Sequence, residues 1–405
     1  MSGPSIQEMS QRSPLLVIFL TVFIDLVGFG ICLPLLPKYA SRYGAVGWEI
    51  GAAMGVYSLM QLLFAPLWGQ WSDRVGRRPV LLISVAGSAV AYALFGVSAQ
   101  FTGATGFWIL VGSRVFAGAC GANLGVASAY IADVTTPEKR SKGMGMIGMA
   151  FGLGFILGPV IGSFAFSRFG LSGPGWVASA ICASNFLLAC FVLKESRVPG
   201  SATAPRRPRF QQVLHVLALP GVGFLVGIYF LATFAFTSFE TTLPLLLDLR
   251  LHLDEQHVGY VFAYCGLMGA LVQGGGIGRL VKSFGERSLI GGSLVVVAVS
   301  LALIPFAGTL ASMLAVLALF AIGSGVNRAP TMGLISQWSP AEEQGATLGV
   351  AQSAGTLARV LGPVFATSLY KVSVPAPYLF CAAVALVAGI LAARRLMGSS
   401  SSKPA

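Results

Sequence analysis

Charge is what this chain has least of. Only 10% of its 405 residues are charged, 14 of them acidic, and histidine occurs three times. A soluble domain carries about 25% charged residues, so too little polar surface exists here to face water on every side. His215, His252 and His257 fall at loops or predicted helix ends. His252 and His257 flank Asp254 and Glu255, and that group reads as an exposed polar loop rather than a metal site. The six cysteines (Cys32, Cys120, Cys182, Cys190, Cys265, Cys381) all lie in apolar runs without paired spacing. They read as small core residues, with no disulfide framework and no metal. No Gly-x-x-x-x-Gly-Lys-Ser/Thr loop occurs, so ATP is not the energy source within this chain. No nucleophile–base pair points to an enzyme, and no cofactor is expected. There is no cleavable signal peptide; the first apolar run itself serves as the insertion signal.

Hydrophobic residues make up 55% of the sequence, with a mean hydropathy of +0.80. A spanning helix needs about 20 mostly apolar residues, at about 1.5 Å each against a hydrocarbon core of about 30 Å. Twelve such runs are present, at 15–37, 48–70, 80–99, 107–132, 144–166, 176–193, 218–247, 257–280, 289–307, 310–336, 346–370 and 376–396. A transmembrane β-barrel would show short alternating strands instead. The fold class is therefore all-α and membrane-embedded, with twelve spans.

A net charge of +12 raises the question of nucleic acid, but its distribution answers otherwise. With the N-terminus in the cytoplasm, and Arg279, Arg394 and Arg395 counted at the cytoplasmic ends of their spans, 18 Lys and Arg fall on the cytoplasmic side, five in external segments and three well within spans. That is the positive-inside pattern. It places both termini in the cytoplasm and is a topology signal that also attracts anionic headgroups. The richest segment holds Lys194, Arg197, Arg206, Arg207 and Arg209. Its Pro199-Gly200-Ser201 and Pro205-Arg206-Arg207-Pro208 mark a linker. The chain divides into six-helix bundles at 1–194 and 218–405, joined by 195–217.

The halves repeat. A single offset of 204 relates Gly121 to Gly325, Asn123 to Asn327, Glu138 to Glu342, Gly145 to Gly349, Gly158 to Gly362 and Pro159 to Pro363. Leu33-Pro34-Leu35-Leu36 recurs as Leu243-Pro244-Leu245-Leu246. Repeated halves place a substrate site between them near the bilayer midplane.

Between the second and third spans runs Gly69-Gln70-Trp71-Ser72-Asp73-Arg74-Val75-Gly76-Arg77-Arg78, echoed as Gly278-Arg279-Leu280-Val281-Lys282-Ser283-Phe284-Gly285-Glu286-Arg287. Gly69 and Gly76 permit a tight turn and close helix approach. Asp73 suits a neighbouring helix N-terminus, and Arg77 and Arg78 suit Asp133 at the end of the fourth span. Such a cluster forms a cytoplasmic gate when closed. The run resembles the loop between helices 2 and 3 of the major facilitator superfamily. The likeness extends along nearly the whole chain. Asp25-Leu26-Val27-Gly28-Phe29-Gly30-Ile31 with Pro34 and Pro37, Tyr57-Ser58-Leu59-Met60-Gln61 and Phe64-Ala65-Pro66 resemble the first spans of the twelve-helix drug:proton antiporters, including the tetracycline efflux proteins. Arg114 with Gly118 resembles their helix 4 motif tied to proton coupling. Gly154, Gly158, Pro159 and Gly162 resemble their helix 5 antiporter motif, although Ser163 replaces the usual second glycine. The tetracycline exporters carry further acids in helices 3 and 9, where this chain has Ala91 and Val297. Glu240 resembles helix 7 of broader relatives, some of which handle organic anions.

Asp25, Arg114, Glu240, Arg328 and Arg359 lie well inside predicted spans. Each costs roughly 2.5–3.5 kcal/mol or more facing lipid at the membrane centre, so each is expected to face the bundle interior. An interior acid near an arginine is a group that can load and lose a proton. Asp25 is the first candidate and Glu240 the second, with Arg114 in coupling or substrate binding; a structural ion pair with Arg114 or Arg359 is the other reading. Arg328 and Arg359 match Leu124 and Phe155 of the first half, and such asymmetry points to substrate. Three arginines against two acids favour an amphipathic substrate bearing an anionic group. Tyr57, Gln61, Asn123 and Asn327 are further cavity candidates, with helix–helix contact as the alternative. Gly148 and Gly152, with the helix 5 motif, are expected to allow close packing, and Pro159 a bend.

The reading is a secondary transporter exporting a small amphipathic drug-like or organic-anion compound against protons by alternating access, acting as a monomer in a bacterial inner membrane. An importer or facilitator of a nutrient or lipid, and a non-transporting receptor, stand as alternatives.

Overall fold

Inside lipid, backbone N–H and C=O groups must bond to one another, which leaves helices or a closed barrel. A computed structural model describes residues 6–196, 209–340 and 343–398, and among these there is no strand. Arg197, Arg206, Arg207, most of the 195–217 linker and Glu342 lie outside the described residues, as do the side chains of Glu138 and Arg209.

Fifteen helices are described: α1 (Ile6–Cys32), α2 (Leu36–Arg42), α3 (Trp48–Val75), α4 (Arg77–Ser98), α5 (Gly103–Cys120), α6 (Leu124–Val134), α7 (Pro137–Phe169), α8 (Gly173–Val192), α9 (Arg209–Ala218), α10 (Val222–Leu251), α11 (Glu255–Leu271), α12 (Ile277–Leu303), α13 (Leu310–Gln337), α14 (Gln344–Val372) and α15 (Ala376–Gly398). Nine helical stretches have the length and hydropathy to cross a membrane. Two of these, 145–192 and 255–306, run 48 and 52 residues. As ideal helix they would extend about 72 and 78 Å, more than twice the hydrocarbon core. Each is two crossings, divided at Gly170 (φ 66°) and Gly285 (φ 74°), where only glycine relaxes comfortably. Helix α14 carries Arg359 and Lys371, which dilute its hydropathy, and it completes twelve.

Several spans are broken where the sequence withdraws a helical hydrogen bond. Pro34, with no N–H to give, lies in the gap between α1 and α2. The fourth span breaks at Gly121-Ala122-Asn123, between α5 and α6. Val272-Gln273-Gly274-Gly275-Gly276 forms a π-turn between α11 and α12, at a point where three successive residues lack side chains to hold the α-helical spacing.

The chain forms two compact units. One contains Met1–Ala45, Val56–Ala204 and Glu255–Ala263; the other contains Val46–Gly55, Pro205–Asp254 and Tyr264–Ala405. In the first, α1 packs on α7 and α8, and α4 on α5 and α8. Ile18, Val80, Leu81, Tyr130, Ile131 and Leu193 lie in its core. In the second, α12 packs on α13 and α15, and α10 on α14. Its core includes Leu225, Ile290, Leu294, Ile335 and Val216 of the short helix α9. Cys32, Cys120, Cys182 and Cys381 are buried, and Cys190 and Cys265 half-buried.

Candidate functional site

At the end of the first unit where α3 meets α4, the connection is a single residue. Gly76 has φ 104°, and a side chain there would strike Glu195. The chain therefore turns from one span into the next without a loop. Arg77, opening α4, is buried and holds three partners: Asp73 at 2.7 Å, Asp133 at 3.3 Å and the Ser72 hydroxyl at 2.6 Å. Asp73, near the end of α3, thus pairs with the first residue of α4. Arg78 also departs from expectation. Its side chain donates to the Leu193 and Cys190 carbonyls, each at 2.8 Å, and not to Asp133. The last carbonyls of α8 have no intrahelical donor, and this guanidinium supplies one. Arg74 is exposed. Gly69 lies inside α3 with open space beside it, so it makes neither the expected turn nor a close approach.

Glu195 was invisible to sequence reasoning, because it borders a charged linker that reads as solvated. It accepts the Arg77 and Arg78 backbone N–H groups at 2.8 and 3.1 Å. A carboxylate is well placed on those unsatisfied donors at the positive end of α4. Glu195→Gln is expected to lower stability by about 1 kcal/mol, within the range for losing a helix cap, as measured by denaturant unfolding in detergent.

The second unit repeats this corner with altered chemistry. Gly285 again has positive φ. Arg287 reaches the Leu396 carbonyl of α15 at 3.3 Å, as Arg78 reaches Leu193, and lies over Trp338 at 5.8 Å. Where Arg77 meets Asp133, the counterparts are Glu286 and Gln337, with Nε2 to carboxylate distances of 3.4 and 3.2 Å. An ion cluster is replaced by an exposed amide contact.

Inside the first unit, Asp25 on α1 is half-buried. The Asn123 amide donates to it at 3.4 Å, and Ser88 is its other polar neighbour. Asn123 also donates to Ser84 at 2.6 Å, and Ser84 donates to the Cys120 carbonyl. Asn123 therefore sits at the α5–α6 break and bonds α4 and α1 there. Gln61 donates to the Gly121 carbonyl at 3.1 Å and to the Tyr57 hydroxyl at 3.1 Å, so the same break is braced from α3. Arg114 is buried, 4.9 Å from the Tyr57 ring centre and beside Cys32. Tyr57 in turn lies 4.9 Å from Phe29, which meets Phe155 edge-on at 6.2 Å. Asp25 makes no ion pair among the described residues. Ser84, Ser88 and Tyr92 recur every fourth residue on α4, all buried. That polar stripe was a signal in the sequence that the reading did not use. Ala91 and Val297 are both buried.

Asn327 of the second unit donates to Ser293 at 3.0 Å, repeating the Asn123–Ser84 bond. Asp25 has no such counterpart: by the Leu-Pro-Leu-Leu register its equivalent is Ala235. Instead, α10 carries Glu240, which is buried and electrostatically nearest to Arg359 of α14. The hydroxyls around it are spent elsewhere. Ser238 donates to the Gly362 carbonyl, Thr241 to that of Thr237 and Thr242 to that of Ser238. Neither Glu240 nor Arg359 has an ion-pair partner within bonding distance among the described residues. Phe236 and Phe239 of α10 cluster with Phe320 of α13, a set the sequence reading missed. Arg328, on α13, is exposed.

The helix 5 motif lies on one face of α7 against α1. A side chain at Gly158 would strike the Gly30 backbone, one at Gly154 would strike Leu26, and one at Gly162 would strike Ile31. Gly148 and Gly152 have open space instead and make no close approach. Pro159 lies within α7, and its carbonyl and the Ser163 hydroxyl leave no room for a side chain at Gly259.

A family model described as Major Facilitator Superfamily matches residues 18–277 and 228–405. Tetracycline resistance protein, class E, of Escherichia coli is 33% identical over 86% of this chain and 86% of its own length. Major facilitator superfamily domain-containing protein 10 of Mus musculus is 29% identical over 89% of this chain and 88% of its own. Among solved structures, the human organic anion transporter MFSD10 (TETRAN) aligns with a TM-score of 0.68 at 27% identity, covering 94% of this chain and 99% of that one. A bacterial homolog of the human lysosomal transporter Spinster aligns with a TM-score of 0.76 at 15% identity, over 99% and 100% of the two chains.

Proposed function

Because this chain belongs to the Major Facilitator Superfamily and is a multi-pass membrane transporter, not an enzyme, we propose that it exports an amphipathic organic anion in exchange for protons. Asp25 is the proton carrier in this reading and Glu240 the second candidate. Arg114, Arg328 and Arg359, with Tyr57, Gln61, Asn123 and Asn327, shape the route of the substrate. The Arg77 cluster is the cytoplasmic gate, and the helix 5 motif packs α7 closely on α1 with a hinge at Pro159. The functional halves are 1–194 and 218–405, joined by 195–217. The protein works as a monomer, with both termini in the cytoplasm of a bacterial cell.

One observation carries this. Asp25 is held by an amide and a hydroxyl and is clamped by no cation among the described residues. An acid locked to arginine is fixed in its charged form, whereas one held by neutral groups can exist with or without its proton. Occupancy by a proton can then bias which side of the membrane the site faces, by as much as it differs in energy between the two states. The relatives named for tetracycline resistance and for organic anions support export and an anionic cargo respectively.

A second reading comes from Glu240. The charge nearest to it is Arg359, so an anion bound to that arginine and a proton bound to that acid would favour each other. Such co-binding is the arrangement of an importer. One experiment separates the two. In proteoliposomes with the membrane potential clamped at zero, uptake of 1-naphthalenesulfonate is followed with an acidic lumen and then with an acidic bath. Each pH unit is worth tenfold per proton, so two units sustain roughly 100-fold accumulation at one proton per substrate. Accumulation with the acidic lumen supports export by exchange; accumulation with the acidic bath supports import. Flux indifferent to both gradients discards proton coupling altogether.

A further inference from the structure

Arg114 is the anomaly of the first unit. The residue is 3% exposed, yet its Nε and Nη1 atoms have no hydrogen-bond partner among the described residues. A buried cation with no counter-ion among the described residues and two of its three nitrogens unbonded is a costly arrangement in a protein. Buried polar groups are satisfied almost everywhere, so a specific exception calls for a specific cause. Its surroundings supply none. The Tyr57 ring covers it at 4.9 Å, and the Cys32 thiol lies beside it. Asp25, a span acid expected from the sequence as its ion-pair partner, bonds to Asn123 instead.

From Arg114 the apolar surface continues through Tyr57 to Phe29 and Phe155, with ring centres 4.9 and 6.2 Å apart. Phe29 and Phe155 are only half-buried. A hidden positive charge leading into a strip of aromatic rings matches a molecule with a compact anion at one end and a flat apolar body at the other. We propose that Arg114 is the seat of the substrate's anionic group, with the ring system of an aromatic carboxylate or sulfonate lying along Phe29 and Phe155. The two unpartnered nitrogens are closed to solvent, so the Tyr57 ring swings aside to admit the anion. This rests on the proposed anionic cargo and goes beyond it by fixing where the charge is held. Arg359, which has Glu240 beside it, is then a secondary cation.

The test has two readouts on detergent-purified protein. Removing a charge that the empty protein leaves uncompensated is expected to raise Tm, so Arg114→Met without ligand melts higher than the wild type. Binding of 1-naphthalenesulfonate, read from tryptophan fluorescence, is expected to weaken roughly 10- to 100-fold in Arg114→Met, the range for losing a charge-assisted hydrogen bond. Arg114→Lys, which keeps the charge, retains most of the binding, and Arg359→Met weakens it less than Arg114→Met does. The neutral 1-naphthalenesulfonamide binds the wild type weakly. If Arg114→Met melts lower, the arginine is structural and the proposal falls. If the wild type binds the sulfonate and Arg359→Met alone abolishes it, the seat is misplaced while the anionic cargo stands. If the wild type binds neither probe, the anionic cargo fails, and the seat with it.

Discussion

Vesicles carrying Asp25→Asn are expected to lose gradient-driven accumulation entirely, falling from roughly 100-fold at two pH units to equal concentrations inside and out. Asparagine has nearly the shape of aspartate, and it can still accept the Asn123 amide hydrogen at the 3.4 Å contact. The fold is therefore kept and only the exchangeable proton is removed. Downhill exchange of substrate survives, because binding and reorientation do not require the gradient. Glu240→Gln is the comparator. If Glu240 is the coupling acid instead, the loss appears there and Asp25→Asn accumulates normally. Full accumulation in both variants would sink the assignment of either acid. The readout is 1-naphthalenesulfonate uptake at clamped potential, with circular dichroism to show that each variant is helical.

Arg77→Gln is expected to cost about 3–5 kcal/mol of stability, the range for removing one partner from a buried ion cluster. The variant leaves Asp73 and Asp133 facing each other with no cation between them. It also frees the Ser72 hydroxyl, which accepts from Arg77 at 2.6 Å. The corresponding change in the second unit, Glu286→Gln, is expected to cost under about 1 kcal/mol, because an exposed contact has water as its substitute. Guanidinium unfolding in detergent compares them. Equal losses would show that the Arg77 cluster is no more than a surface contact.

Much of this was legible because membrane proteins write their spans plainly. Runs of apolar residues located the crossings within a few positions, and the residues framing each half revealed the repeat. The pairing of Arg77 with Asp133 followed from two opposite charges at adjoining span ends. What failed did so for local reasons. Gly69 was taken for a turn because glycine permits one, but α3 runs on through it to Val75, and Gly76 alone makes the turn. Arg78 was assigned to an acid, because carbonyls at a helix end leave no mark in a sequence. Glu195 was hidden for the same reason in reverse: its partners are backbone N–H groups. The two acids within the spans were legible, but the bonding of Asp25 to Asn123 in place of an arginine was not, since sequence supplies charges without distances.

The paired asparagines carry one more consequence. Asn123 reaches Ser84 across 39 positions and Asn327 reaches Ser293 across 34. The same bond has survived in both halves while the peptide between its ends changed length by five residues. Two copies of one ancestral segment, joined in tandem, would leave this trace. The shortening lies in the helical stretches on either side, since the connection from α12 to α13 (304–309) is longer than that from α4 to α5 (99–102), and the bond itself was kept. Those helix lengths are where the molecule tolerates rewriting, and the asparagine contacts are the places where its history is still recorded.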